Sequence, residues 1–268
     1  MILLSISIVL ALLITIALPI GAGFWLNKRL SVPWRVVTYG VLGYFIAQAV
    51  ITLLFNGFAG LVENQTIALT DRAFRSAQLG ISVIMGALIG VVVRWAGIKY
   101  LNEDMKNLEA AYGIGIGYGA AESIMLVGLP LLSTFIAMLG NININPQTTT
   151  LDPAVISQIE ALWRVPFYIP LAGSLERIAA LVMHITVTIL ILQVFTHSKA
   201  IWLAAAFGVE LLVNGLIAGL AEAGLLHGWV ILISLALMVG NLLILYRLRA
   251  YEFDITRTNS GSGVEIPS

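Results

Sequence analysis

Long apolar stretches separated by short polar segments run along nearly the whole chain. A membrane-spanning helix needs about 20 predominantly apolar residues, and each stretch has about that length. The pattern predicts an all-α integral membrane protein, a polytopic bundle of seven transmembrane helices. The predicted spans are Ile2 to Leu26, Val36 to Phe58, Ala77 to Ile98, Ala110 to Ala137 (interrupted by Pro130), Ile169 to Phe195, Ala200 to Leu220 and Trp229 to Leu248.

The distribution of Lys and Arg predicts the orientation of the bundle, because cytoplasmic loops carry an excess of these residues. Ten lie on one side, three on the other, and Arg177 falls within the fifth span. We therefore expect the N-terminus outside and the C-terminus in the cytoplasm. The ten are Lys28, Arg29, Arg35, Arg94, Lys99, Lys106, Lys199, Arg247, Arg249 and Arg257, and the three are Arg72, Arg75 and Arg164.

The spans and their connections are predicted to form one transmembrane helical domain, residues 1–252. In the outer loop, about residues 140–168, Asp152 and Pro153 have the residue types of a helix start. Five apolar residues then share one face, as in an interfacial helix that rests on the membrane or covers a site. They are Val155, Ile156, Ile159, Leu162 and Trp163. The polar tail, residues 253–268, is predicted to be disordered and cytoplasmic.

Composition narrows the class of protein further. The chain is 59% hydrophobic and 10% charged, whereas soluble domains carry roughly 25% charged residues. A soluble fold is therefore excluded, and the lipid bilayer is the expected surrounding. The 14 basic and 14 acidic residues cancel, so no basic field indicates a nucleic-acid partner. The absence of cysteine excludes disulfides and thiolate metal sites.

Ionisable residues inside the spans are the candidate functional groups, because burying them in lipid is costly. A rise of about 1.5 Å per residue puts Glu122 roughly 20 Å, His184 about 18 Å, Glu210 about 16 Å and Asn214 about 22 Å from the cytoplasmic ends of their helices. We therefore predict that these four side chains meet near the membrane midplane.

Helical spacing adds neighbours to this cluster. Tyr118 lies four residues before Glu122, so the two share a face. Glu176 and Arg177 lie about 10 Å nearer the outer surface than His184, and a salt bridge would make their charges tolerable. Structural or substrate-orienting roles are expected for Tyr118, Glu176 and Arg177. Alternating glycines form two small-residue faces that predict close helix packing, namely Gly113 with Gly117 and Gly115 with Gly119.

The cluster has the parts of a hydrolytic site. Glu122 is a candidate general base for water, with His184 as its partner. Asn214 and a protonated Glu210 can donate hydrogen bonds to an oxyanion. No cofactor is required by the sequence, although Glu122, His184 and Glu210 form a plausible ligand set for a divalent metal such as zinc. The same groups also suit a proton relay or cation site in a transporter.

Three segments resemble the YhfC family of bacterial intramembrane peptidases, which is similar to the wider group of type II CAAX prenyl proteases and PrsW proteins. They are GIGYGAAESI at 115–124, LERIAALVMH at 175–184 and ELLVN at 210–214. The resemblance extends over roughly residues 85–225. It implies an intramembrane peptidase of a bacterial plasma membrane that acts on a membrane-associated peptide or protein. It implies Glu122 as the base, His184 as its partner and Asn214 as the oxyanion donor.

Two positions depart from the family pattern. Tyr118 stands where the first motif usually has His, and Glu210 where the last motif usually has His. A tyrosine hydroxyl donates a hydrogen bond but does not take up a proton near neutral pH. The chain is therefore either a divergent peptidase or a catalytically inactive relative that acts as a membrane scaffold or accessory subunit.

Overall fold

The computed structural model describes residues 1–102, 106–141, 153–224 and 227–261. Within these residues seven helices are long and apolar enough to cross a membrane, which confirms the predicted all-α bundle. The sixth helix continues to Glu222, and the seventh is helical over His227–Gly261. The spans are Ile2–Leu30, Trp34–Glu63, Asp71–Lys99, Leu108–Gly140, Tyr168–His197, Ile201–Leu220 and Gly228–Leu248.

Side-chain caps explain where two of the helices begin. Thr70 Oγ1 accepts a hydrogen bond from the backbone N–H of Ala73, and Asn107 Oδ1 accepts one from the N–H of Ala110. Such caps satisfy N–H groups that have no partner inside the helix. The third span therefore starts at Asp71, six residues before the apolar run that predicted it.

The fifth span, Tyr168–His197, is the central helix of the bundle. It packs against the first, third, fourth, sixth and seventh spans. In its most apolar window 72% of the residues are buried, whereas the corresponding share in the other spans is between 6% and 33%. Polar groups on the fifth span are therefore shielded from lipid by its neighbours.

The first and fourth spans contact each other where each contains a short π-helical segment. The segments Leu13–Ala17 and Ile124–Gly128 are π-helical, and each is followed closely by a proline, Pro19 or Pro130. Proline has no N–H, so the carbonyl four residues before Pro19, that of Thr15, loses its α-helical donor. Ser123 Oγ supplies a donor at 2.9 Å. The fourth span thus continues through Pro130 to Gly140, and Ser123 holds it against the first span.

Replacing Ser123 with alanine should lower the free energy of unfolding by about 0.5–1.5 kcal/mol, because the Thr15 carbonyl loses the hydrogen bond that the Ser123 hydroxyl donates. Thermal unfolding in detergent measures the effect. Ser133→Ala is the matched control, since the Ser133 hydroxyl bonds an exposed carbonyl, that of Pro130. A loss in Ser123→Ala no larger than in this control would contradict the assignment.

The predicted helix of the outer loop is present as Pro153–Trp163. Its apolar residues Leu162 and Trp163 pack against a cluster formed by Leu4 and Ile8, near the start of the first span, and Met138, near the end of the fourth. The proposed cap Asp152 lies outside the described residues. The disordered tail, residues 253–268, stays a prediction: the backbone is helical to Gly261, and residues 262–268 lie outside the described part.

Candidate functional site

Glycines of the fourth span bring the site together. A Cβ atom on Gly117 would lie 2.1 Å from the carbonyl oxygen of Val37 in the second span. On the opposite face, a Cβ on Gly115 would lie 2.8 Å from the Cα of Ile185, and one on Gly119 would lie 3.1 Å from the His184 ring. Two backbones therefore approach the fourth span closely, as the two small-residue faces predicted.

This close packing places Glu122 beside His184. The Oε2 atom of Glu122 lies 3.0 Å from the Nε2 atom of His184. The contact satisfies the distance of a hydrogen bond but not its alignment, so His184 Nε2 has no aligned partner. The His184 side chain is 2% exposed and the Glu122 side chain 20%. Glu122 therefore faces open space, and His184 lies behind it.

Arg177 joins Glu122 to Glu176. Its Nη1 atom lies 3.1 Å from Glu122 Oε1, and its Nη2 atom lies 2.6 Å from Glu176 Oε1. The salt bridge predicted for Glu176 and Arg177 is present, and it extends to the fourth span. One guanidinium is thus shared between two carboxylates, one on the fourth span and one on the fifth.

Arg94 is also a member of the site. Its position near the end of the third span predicted a place at the cytoplasmic surface, and that prediction is wrong, because Arg94 is 1% exposed. Its Nη1 atom lies 3.2 Å from His184 Nδ1, its Nη2 atom donates to Glu210 Oε2, and its Nε donates to the Gly90 carbonyl at 2.9 Å. The orientation count falls from ten basic residues to nine against three, so the predicted orientation is unchanged.

Tyr118 stacks against this buried arginine. The guanidinium carbon of Arg94 lies 4.4 Å from the centre of the Tyr118 ring, a cation–π contact. The same ring lies 5.0 Å from the His184 ring and 5.6 Å from the Tyr44 ring. Tyr118 therefore fills the space between the second, third and fifth spans at the level of the site.

A cavity of about 300 Å³ opens beside these groups, lined by the second to sixth spans. Six of the seven predicted site residues line it, and His184 is the exception. Gln48 also lines the cavity, and neither its amide nor that of Asn214 makes a hydrogen bond with a described residue. The six are Tyr118, Glu122, Glu176, Arg177, Glu210 and Asn214.

The predicted metal ligands do not fit a zinc site as they are arranged. Among the described residues, no group of three or more His, Cys, Asp or Glu side chains is placed to hold a metal ion. Glu122 and His184 are adjacent, but Glu210 is paired with Arg94. Zinc in proteins takes at least three such ligands.

Seven spans around an adjacent Glu–His pair and a polar cavity define an integral membrane protein with an internal site. The family model of the YhfC intramembrane metalloprotease matches residues 14–237, so the chain belongs to that family. A Bacillus subtilis (strain 168) protein named "Uncharacterized membrane protein YhfC" is 23% identical over 207 residues, covering 75% of this chain and 79% of the relative. No solved structure matches the chain at a significant level.

Proposed function

We propose that this protein is an intramembrane endopeptidase that hydrolyses a peptide bond of a membrane-associated substrate, with water activated by Glu122. The observation that carries the proposal is the Glu122–His184 contact of 3.0 Å at the wall of a cavity inside the bundle. Family membership supports it. The proposed chemistry uses this chain's own side chains.

The Glu122 carboxylate acts as the general base. Water placed in the cavity attacks the substrate carbonyl carbon, and its proton passes to Glu122. A tetrahedral oxyanion forms, and the Asn214 side chain, which lines the same cavity, donates a hydrogen bond to it. When the C–N bond breaks, the proton on Glu122 passes to the leaving nitrogen. One water is thereby divided between the new carboxyl group and the new amine.

His184 positions the base. Arg94 can only donate, so His184 Nδ1 accepts, and the ring proton of the neutral imidazole is then on Nε2, the nitrogen beside Glu122. The ring N–H attracts the carboxylate at 3.0 Å, although the contact is not aligned as a hydrogen bond. Arg177 restrains the other carboxylate oxygen, Oε1.

Replacing Glu122 with glutamine should lower cleavage at least about 100-fold, the smaller end of the effect of a general base. Purified wild type and variant are offered the same library of membrane peptides, and products are identified by mass spectrometry. Glu63→Gln is the matched control, because Glu63 is exposed at the end of the second span and outside the cavity. Equal cleavage by Glu122→Gln and wild type, or cleavage by neither, rejects the proposal.

One observation favours a second function, that of a membrane scaffold without catalysis. Arg94 connects the third span to His184 of the fifth and Glu210 of the sixth, so the polar groups also hold helices together. In that case Glu122→Gln leaves both folding and cellular phenotype nearly unchanged. A strong phenotype with intact folding would count against the scaffold.

A further inference from the structure

We propose that the guanidinium of Arg94 occupies the place of a metal ion in this site, so that the Glu122–His184 pair holds no zinc. The proposal rests on the proposed function only in treating this pair as the reactive centre. It differs from the description of the family, which names a metalloprotease. Three features of the described residues support it.

The first feature is the charge of Arg94. Its guanidinium is always protonated and contacts two of the three predicted ligands, His184 and Glu210. A divalent ion bound by these same ligands would lie beside a fixed positive charge in a medium of low dielectric constant, where repulsion is strong. Glu210 is already compensated by Arg94, so it offers a metal no free negative charge.

The second feature is the tautomer of His184. A histidine that binds zinc normally donates its other ring N–H to a carboxylate, a carbonyl or water, which leaves the coordinating nitrogen unprotonated. Here the other nitrogen, Nδ1, faces a donor of Arg94 at 3.2 Å. The ring proton is therefore on Nε2, the atom beside Glu122. A protonated Nε2 has no lone pair for zinc.

The third feature is that Arg94 is fixed in position. Its Nε donates to the carbonyl of Gly90 one turn earlier, and its guanidinium stacks on the Tyr118 ring. A Cβ atom on Gly90 would lie 3.1 Å from Arg94 Nη2 and 2.9 Å from Glu210 Oε1. The absence of a side chain at Gly90 thus leaves the room that the Arg94–Glu210 pair fills.

Zinc retention tests the proposal without a substrate. Purified full-length chain is incubated with zinc chloride and desalted, the metal is counted by mass spectrometry, and thermal unfolding is followed with and without zinc. Wild type should retain no stoichiometric zinc and show no thermal shift. Arg94→Gln should free Glu210 as a third ligand, retain about one zinc per chain and unfold at a higher temperature with zinc present.

Two further variants show which residues cause the gain of zinc binding. Adding His184→Ala to Arg94→Gln should abolish the gained zinc, and Arg164→Gln, which removes an exposed arginine, should behave as wild type. Stoichiometric zinc in wild type that is lost in His184→Ala overturns the proposal, as does a folded Arg94→Gln that gains none. If Arg94→Gln does not fold, the comparison of wild type with His184→Ala decides alone. Zinc in wild type would still leave the role of Glu122 to the cleavage assay.

Discussion

Replacing Gly117 with alanine is expected to lower the free energy of unfolding by about 4 kcal/mol or more, at the upper end of the effects of single substitutions. The added Cβ would lie 2.1 Å from the carbonyl oxygen of Val37, which is backbone and has no rotamer by which to move away. The second and fourth spans would have to separate. Their contact is reciprocal, since a Cβ on Gly40 would lie 2.1 Å from the carbonyl oxygen of Ile114.

Gly57→Ala is the matched control for this prediction. Gly57 lies in the second span, and a Cβ atom there meets nothing within 4 Å. The change should be neutral or stabilise the helix by up to about 1 kcal/mol, because alanine restricts the unfolded chain and favours the helix. Thermal unfolding and gel filtration in detergent compare the two variants. A Gly117→Ala protein as stable and monodisperse as Gly57→Ala would contradict the close approach of the two helices.

The spans were predictable from the sequence because lipid selects long apolar runs, and each run is visible by itself. That Glu122 and His184 lie at the same level of the bundle was also predictable, since the helical rise converts residue counts into distance. Their lateral contact was not, because depth leaves the rotation of each helix open. The rotation of a helix is set by the face that it packs against its neighbour. Here the Gly115–Gly119 face of the fourth span packs against the fifth span and sets the rotation of the fourth.

Arg94 was missed for a physical reason. An arginine five residues before Lys99, at the end of the third span, ordinarily extends its side chain toward the nearby interface. Side chains on a helix point toward its N-terminus, however, and for the third span that direction is the membrane interior. Arg94 follows it, because Gly90 leaves space one turn earlier and the carboxylate of Glu210 lies there. The useful signal in the sequence was a glycine four residues before an arginine inside an apolar run.

Removing Arg94 alone should cost about 3–5 kcal/mol of folding free energy, because it leaves Glu210 as a buried charge without its partner. Both side chains are almost wholly buried, at 0% and 3% exposure. Replacing the two together, as in Arg94→Met with Glu210→Met, should restore most of that loss, since a buried ion pair and well-packed apolar residues of similar volume are often close in stability.

The Arg164–Glu160 pair provides the control for this cycle, because both of its side chains are more than half exposed. Disrupting it should change stability by less than about 1 kcal/mol, as is usual for surface pairs. The free energies of unfolding of the single and double variants in detergent give the coupling energy between Arg94 and Glu210. A coupling as small as that of Arg164 and Glu160 would mean that Arg94 does not compensate Glu210. The Glu210 carboxylate would then be free to act as a third ligand, and the metal-free site inferred above would lose its principal support.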